Sequence, residues 1–264
     1  MTTALSDHDP LFDLPTLPER LLALADEFIC HNDALGEVST ADVRAAALRQ
    51  HIPSTHALAA RALEVRESVE RMLRSTPAVV DASLRLQEIA FLSTGAVDEL
   101  LGALSLVRAG KDGADNRIHM AANLTALGAA TSVDLAETLA VEMRRQRVPL
   151  TGEAAPQLSS KDVTALRAVA RGKAHITLML GRQYITAEDG STKVSTTTVR
   201  SLESRFLLHR GGEPQESVPQ RLRLTASGMR TLAGTFGQAP PPAQGLQGGP
   251  SLPQPPSESV KRSR

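Results

Sequence analysis

A chain of 264 residues with no Trp, 2% aromatic residues and one cysteine, Cys30, must build its core from aliphatic side chains, and it can hold neither an internal disulfide framework nor a cysteine-rich zinc site. Formal net charge is +0, and no run reaches the ~20 uninterrupted apolar residues of a membrane span. The first seventeen residues carry Asp7, Asp9 and Asp13 in place of a basic start and an apolar run, so no secretory leader or membrane anchor is read and a cytoplasmic location is expected.

Along the chain, residues 1–18 hold three prolines and scattered acids and read as a poorly ordered lead-in. A helical domain is expected over 19–146. Its first helix runs from Glu19 to Leu35, with Leu21, Leu22, Leu24, Phe28 and Ile29 apolar. Thr40 caps a second, short helix that Pro53 terminates, and Ser54 or Thr55 then caps another to about Arg74. In that helix Leu58, Ala62, Val65, Val69 and Met72 alternate at spacings of four and three, a coiled-coil-like seam that serves either a bundle or a dimer. Thr76 and Pro77 are a cap and a first-turn proline for a long helix ended by Gly110. Two further helices are predicted, from Asp115 to about Leu127 and from Thr131 or Ser132 through Met143.

The stretch 147–159 has two prolines, a glycine and no periodicity, and reads as a linker. Charge changes sign there: residues 1–158 hold 14 basic and 22 acidic side chains, residues 159–233 hold 12 and 6, and residues 234–264 hold 3 and 1. The C-terminal half is therefore expected to face a polyanion. Residues 234–264, crowded with Pro, Gln, Gly and Ser, read as a disordered tail.

Within 160–233, Ser159 or Ser160 caps a helix with Val163, Leu166, Val169 and Ala170 inward. His175 to Leu180 and Tyr184 to Thr186 read as strands, or as a strand and a distorted turn, before the turn Glu188-Asp189-Gly190. Ser195 or Thr196 caps the next helix. Its inward residues are Val199, Leu202 and Phe206, which leaves Thr197, Thr198, Arg200, Ser201, Ser204 and Arg205 on other faces. Leu207 to Arg210 and Gln220 to Leu224 form a hairpin around Gly211-Gly212-Glu213-Pro214, with Arg210 and Arg221 near its base and Arg223 further along. Thr225 caps a last helix.

The succession helix, "TVRSLESRFLLHR", turn, "QRLRLTASGMRTLAG" resembles the winged-helix regulators of the MarR and PadR kind over about 75 residues. In those proteins a recognition helix runs into a wing hairpin, and a Leu-Thr-x-x-Gly turn opens the next helix. The second helix of their helix-turn-helix is replaced here by "HITLMLGRQYITAEDGSTK", which reads as extended, and Glu213 and Glu216 make the wing tip acidic. The resemblance implies a mainly α protein, a helical bundle or hairpin followed by a winged-helix domain, acting as a sequence-specific DNA-binding transcriptional regulator. Arg182, Lys193, Arg210 and Arg221 would anchor phosphates, while Thr197, Thr198, Arg200 and Arg205, with Ser195, Ser201 and Ser204 beside them, would meet the major groove. Double-stranded DNA is the expected partner, with homodimerisation through the N-terminal helices and no membrane. The alternative is a protein-interaction adaptor using the helical hairpin.

No enzyme is expected, and no cofactor. Gly-x-x-x-x-Gly-Lys, Gly-x-Ser-x-Gly and Gly-x-Gly-x-x-Gly are all missing, and Asp98 and Glu99, adjacent on a helix, face no common point. Cys30 beside His31, and His51 with His56, lack the ligand count of a zinc site and are expected to be structural.

Overall fold

The computed structural model describes residues 15–38, 44–148, 158–179, 182–187, 194–211 and 220–238. The protein is mainly helical, with a small antiparallel sheet in its C-terminal part. Four helices make an up-and-down bundle: α1 (Leu17–Val38), α2 (Arg44–Met72), α3 (Pro77–Arg108) and α4 (Ala114–Arg145). Thr76 caps α3, its hydroxyl accepting from Val79 N at 3.4 Å, with Pro77 in the first turn, and Gly110 (φ 61°) follows its end as the sequence predicts.

Two predicted helix breaks do not occur. Pro53 lies inside α2, which runs unbroken from Arg44 to Met72, because Leu48, Thr55 and Leu58 on either side are buried in the bundle and outweigh the local cost of about 3 kcal/mol. The predicted cap Thr40 lies outside the described residues. The pair of helices expected around 127–131 is the single helix α4. Gly128 is there for packing, not termination: a Cβ on it would stand 2.5 Å from Cδ1 of the Phe28 ring, so the glycine lets α1 and α4 approach. Helix α1 likewise starts at Leu17 instead of Glu19, with Pro18 in its first turn and Leu17 buried. The Leu58-to-Val69 seam is buried inside the bundle against its neighbours, whereas Met72 at its end is exposed.

The C-terminal part comprises α5 (Ser160–Ala170), β1 (Ala174–Met179), β2 (Arg182–Ala187), α6 (Thr196–Ser204), β3 (Leu208–Arg210), β4 (Gln220–Leu224) and α7 (Ala226–Thr235). The sheet order is β2-β1-β4-β3, all neighbours antiparallel. The ambiguous stretch after α5 is thus a two-stranded hairpin, with Ile176 opposite Ile185. Its turn, the expected wing tip and most of the expected linker lie outside the described residues. The described residues also pass Gly234, where the tail was expected to begin: Phe236 is fully buried, with the Arg167 guanidinium 5.6 Å from its ring centroid.

One apolar cluster runs from the bundle into this part, joining Phe28, Ile29 and Leu139 to Leu166, Leu222, Leu232 and Phe236. Around it lies a belt of ion pairs that matches the acidic first half to the basic second half. Arg230 meets Glu19, Arg223 meets Asp26, Arg221 meets Asp33, Arg171 meets Asp134 and Arg167 meets Glu137. Much of the charge asymmetry along the sequence is therefore spent within the molecule.

Candidate nucleic-acid interface

Helix α6 is anchored by Val199 and Leu202, both buried, and it packs on α5, β2 and β3 without lying beneath the bundle. Ser195 caps it: its hydroxyl accepts from Thr198 N at 3.0 Å and lies 2.8 Å from Thr198 Oγ1, so these two hydroxyls serve the cap. Thr197, Arg200, Ser201 and Ser204 are all exposed, and their spacing of three, one and three residues puts them on a single face. Arg200 makes no hydrogen bond or ion pair with the described residues.

Arg205, Arg210 and Arg221 are otherwise employed, and so is Arg223. Arg210 donates from Nε and Nη2 to the two carboxylate oxygens of Glu203 (2.6 and 3.1 Å), a fork that raises the basicity of the guanidinium. Arg221 donates both Nε and Nη2 to Asp33 at 2.6 Å, and its Nη1 to the Gly172 carbonyl. Arg223 forks onto Asp26, with Nε to Oδ1 at 3.0 Å. Arg205, half-buried, has Nη1 3.7 Å from Asp162 Oδ2. Lys193 and the side chain of Arg182 lie outside the described residues.

Phe206, expected inward, points out and is 79% exposed. The reason is the helix end. Phe206 takes the left-handed conformation (φ 55°), its N–H bonding Glu203 O at 2.9 Å while Leu207 N bonds Leu202 O at 3.0 Å, and this turn swings the ring to solvent and Leu207 into the core. The start of α7 holds the turn: Thr225 donates its hydroxyl to Phe206 O (2.6 Å) and its N–H to Leu207 O (3.1 Å). Here the Leu-Thr-x-x-Gly sequence acquires its meaning. Leu224 is buried, Thr225 caps α7 by accepting from Gly228 N at 2.9 Å, and a Cβ on Gly228 would fall 2.0 Å from Leu207 O.

A feature missed in the sequence lies beside α6. Ser160, Lys161, Thr164, Val194, Ser195 and Thr198 line a cleft of about 290 Å³ where the starts of α5 and α6 converge. The capping box of Ser159 and Asp162 fixes the α5 end of it. Lys161 is exposed in that first turn, where the helix dipole disfavours a cation, and that local anomaly was the available signal.

Elsewhere, a cleft of about 520 Å³ between α1 and α2 contains Cys30, His31, His51 and Ser54. Burial pushes the Cys30 thiol up, and the Asp26 carboxylate pushes it further, so the sulfur is a poor nucleophile. Among the described residues no three His, Cys, Asp or Glu side chains gather to hold a metal ion. No family model, curated protein or solved structure matches the chain.

Proposed function

We propose that the chain is a sequence-specific transcriptional regulator that binds double-stranded DNA, with α6 as the recognition helix of a winged-helix module and β3–β4 as the stem of its wing. The observation that carries this reading is the single exposed face of α6, where Thr197 and Ser201 offer hydroxyls beside Arg200, whose guanidinium has no partner among the described residues, while the Ser204 hydroxyl donates to Ser201 O. Such a face, on a helix anchored from behind, has the donors to read base edges in a major groove. The antiparallel pair β3–β4 directly after α6 supports the module, with β4 joined to β1 on its other side. Lys161 and the cleft hydroxyls sit where a backbone phosphate would lie beside the start of α6. Arg182 and Lys193 retain the anchoring roles expected of them, whereas Arg210 and Arg221 act by stiffening the hairpin through Glu203 and Asp33.

The test is selection of bound sequences from random duplex DNA by the full chain, followed by titrations at two salt concentrations. With three or four phosphates neutralised per chain, affinity should fall roughly 40- to 150-fold between 50 and 200 mM salt. Arg200→Ala should relax base preference by about 1 to 3 kcal/mol at one position of the selected site. Lys161→Ala should weaken all sequences alike and lower the salt slope by about 1. Enrichment of no sequence, or an Arg200→Ala variant with unchanged preference, would overturn the assignment.

A protein-interaction adaptor is the second reading, favoured by the five arginines that the bundle carboxylates neutralise. A chain that recovers no duplex but purifies in a stoichiometric complex with another protein would decide for it.

A further inference from the structure

The cleft between α1 and α2 plays no part in the DNA reading. Its volume of about 520 Å³ lies within the roughly 300 to 1,000 Å³ of small-molecule pockets. Asp26, Cys30 and Ala34 line it at intervals of four along α1, and Gln50, Ser54 and Leu58 do the same along α2, so each helix turns one continuous face to it. Arg223 of β4 lines it too, forked onto Asp26. The two walls are joined before any ligand arrives: His31 of α1, 4% exposed, is tied to Ser54 and Thr55 of α2. Such prior fixing removes part of the ordering cost of binding.

One carboxylate in the cleft is short of positive charge. Burial pushes His31 and His51 below the ordinary imidazole range, so both rings are neutral at neutral pH, and Gln50 and Ser54 carry no charge. Arg223 and Asp26 offset each other through their fork. Glu27 is left. Its ion pair with Arg61 is long, 3.5 Å, and the arginine side chain is 59% exposed, so water screens most of that attraction. Burial raises the Glu27 carboxyl above its ordinary range; Arg61 opposes the rise, and Asp26 and Glu64 add to it. The Cys30 thiol is raised in the same way, first by burial and then by Asp26, which acts on it more strongly than Arg223 does. Ala34, Ala57 and Leu58 supply apolar wall beside these groups.

We infer that the cleft binds a small organic ammonium ion, a primary amine seated at Glu27 and Asp26 on a compact apolar body that lies over Ala34, Ala57 and Leu58. An ammonium brings three donors and one positive charge. Glu27 accepts one donor and gains the counter-charge that its burial calls for, and the Asp26 oxygens, each with a lone pair beyond the arginine fork, accept another. An anion would meet Glu27 with repulsion, and a neutral molecule would bury it further uncompensated. This inference is independent of the DNA reading.

Ligand-observed NMR titration of the full chain with phenethylamine and with cyclohexylamine tests it, with phenethyl alcohol and hydrocinnamate as uncharged and anionic counterparts. At least one of the two amines should bind with a Kd of about 1 mM or below, and the two counterparts at least roughly tenfold more weakly. Glu27→Gln, which keeps the shape and removes the charge, should weaken amine binding by roughly tenfold or more. Ala57→Leu, which fills the cleft and touches no charge, should weaken it as much, while Glu88→Gln on α3 should bind as wild type. Melting temperatures near wild type would show that the variants are folded. No binding of either amine at concentrations up to about 10 mM overturns the inference. So does hydrocinnamate binding as tightly as the amines, or a folded Glu27→Gln or Ala57→Leu variant that binds them undiminished.

Discussion

Phe28→Ala is expected to destabilise the protein by about 3 to 5 kcal/mol, the range for deleting a fully buried ring. Phe28 is 0% exposed, and its ring occupies the space left by the missing Cβ of Gly128, at the point where α1 crosses α4. Helix α1 also packs on α2, α5 and α7, and carries Asp26 and Asp33, so a shift of α1 loosens both the bundle and the seat of β4. At about 2 to 4 °C per kcal/mol for a chain of this size, the melting temperature should drop by roughly 10 °C. A double-mutant cycle sharpens the test. Gly128→Ala alone should clash with the ring, Phe28→Leu alone should leave a gap, and the pair should cost less than the sum of the two because one change fills what the other vacates. Strictly additive losses would show that ring and glycine do not share the space.

Local signals were legible in the sequence, and partnerships across the chain were not. Thr76-Pro77, the serine cap of α5, which proves to be Ser159, and the Leu-Thr-x-x-Gly turn each lie within a few residues and announce their geometry directly. Pro53 and Gly128 carry the same local meaning, and there tertiary packing overrides it: buried neighbours carry α2 through the proline, and the glycine serves the Phe28 ring. Apolar spacing placed Phe206 inward because it cannot register a left-handed residue at a helix end. The basic charge of the second half was visible as a sum, but its destination was not. Arg221 and Arg223 find Asp33 and Asp26 across 188 and 197 positions of sequence. Once those pairs form, the basic groups left facing solvent are fewer than the count suggests, and Arg200 becomes the one on which the α6 face depends.

Stability should fall as pH drops from 6.5 toward 4, and His31 should account for about 3 kcal/mol of the loss. The ring is 4% exposed between α1 and α2, with Nε2 3.1 Å from Thr55 Oγ1 and Nδ1 3.4 Å from Ser54 Oγ. Thr55 gives its own hydroxyl proton to His51 O at 2.8 Å, so Nε2 carries the hydrogen and donates to Thr55, which leaves Nδ1 unprotonated as an acceptor for the Ser54 hydroxyl. The His51 ring stands edge-on with centroids 5.8 Å apart. Burial, and secondarily His51, pushes His31 from its ordinary 6.5 down to about 4; burial also lowers His51, against the pull of Glu37. Because the folded value lies below the unfolded one, the neutral ring favours the fold fully above pH 6.5. That contribution is lost as pH falls through the interval, and it changes no further below about 4. Between pH 6.5 and 5, His31 by itself should remove about 1.5 kcal/mol. His31→Gln, which keeps a polar side chain and cannot titrate, should flatten the decline in melting temperature over that window. An equal slope in wild type and variant would place the acid-sensitive group elsewhere.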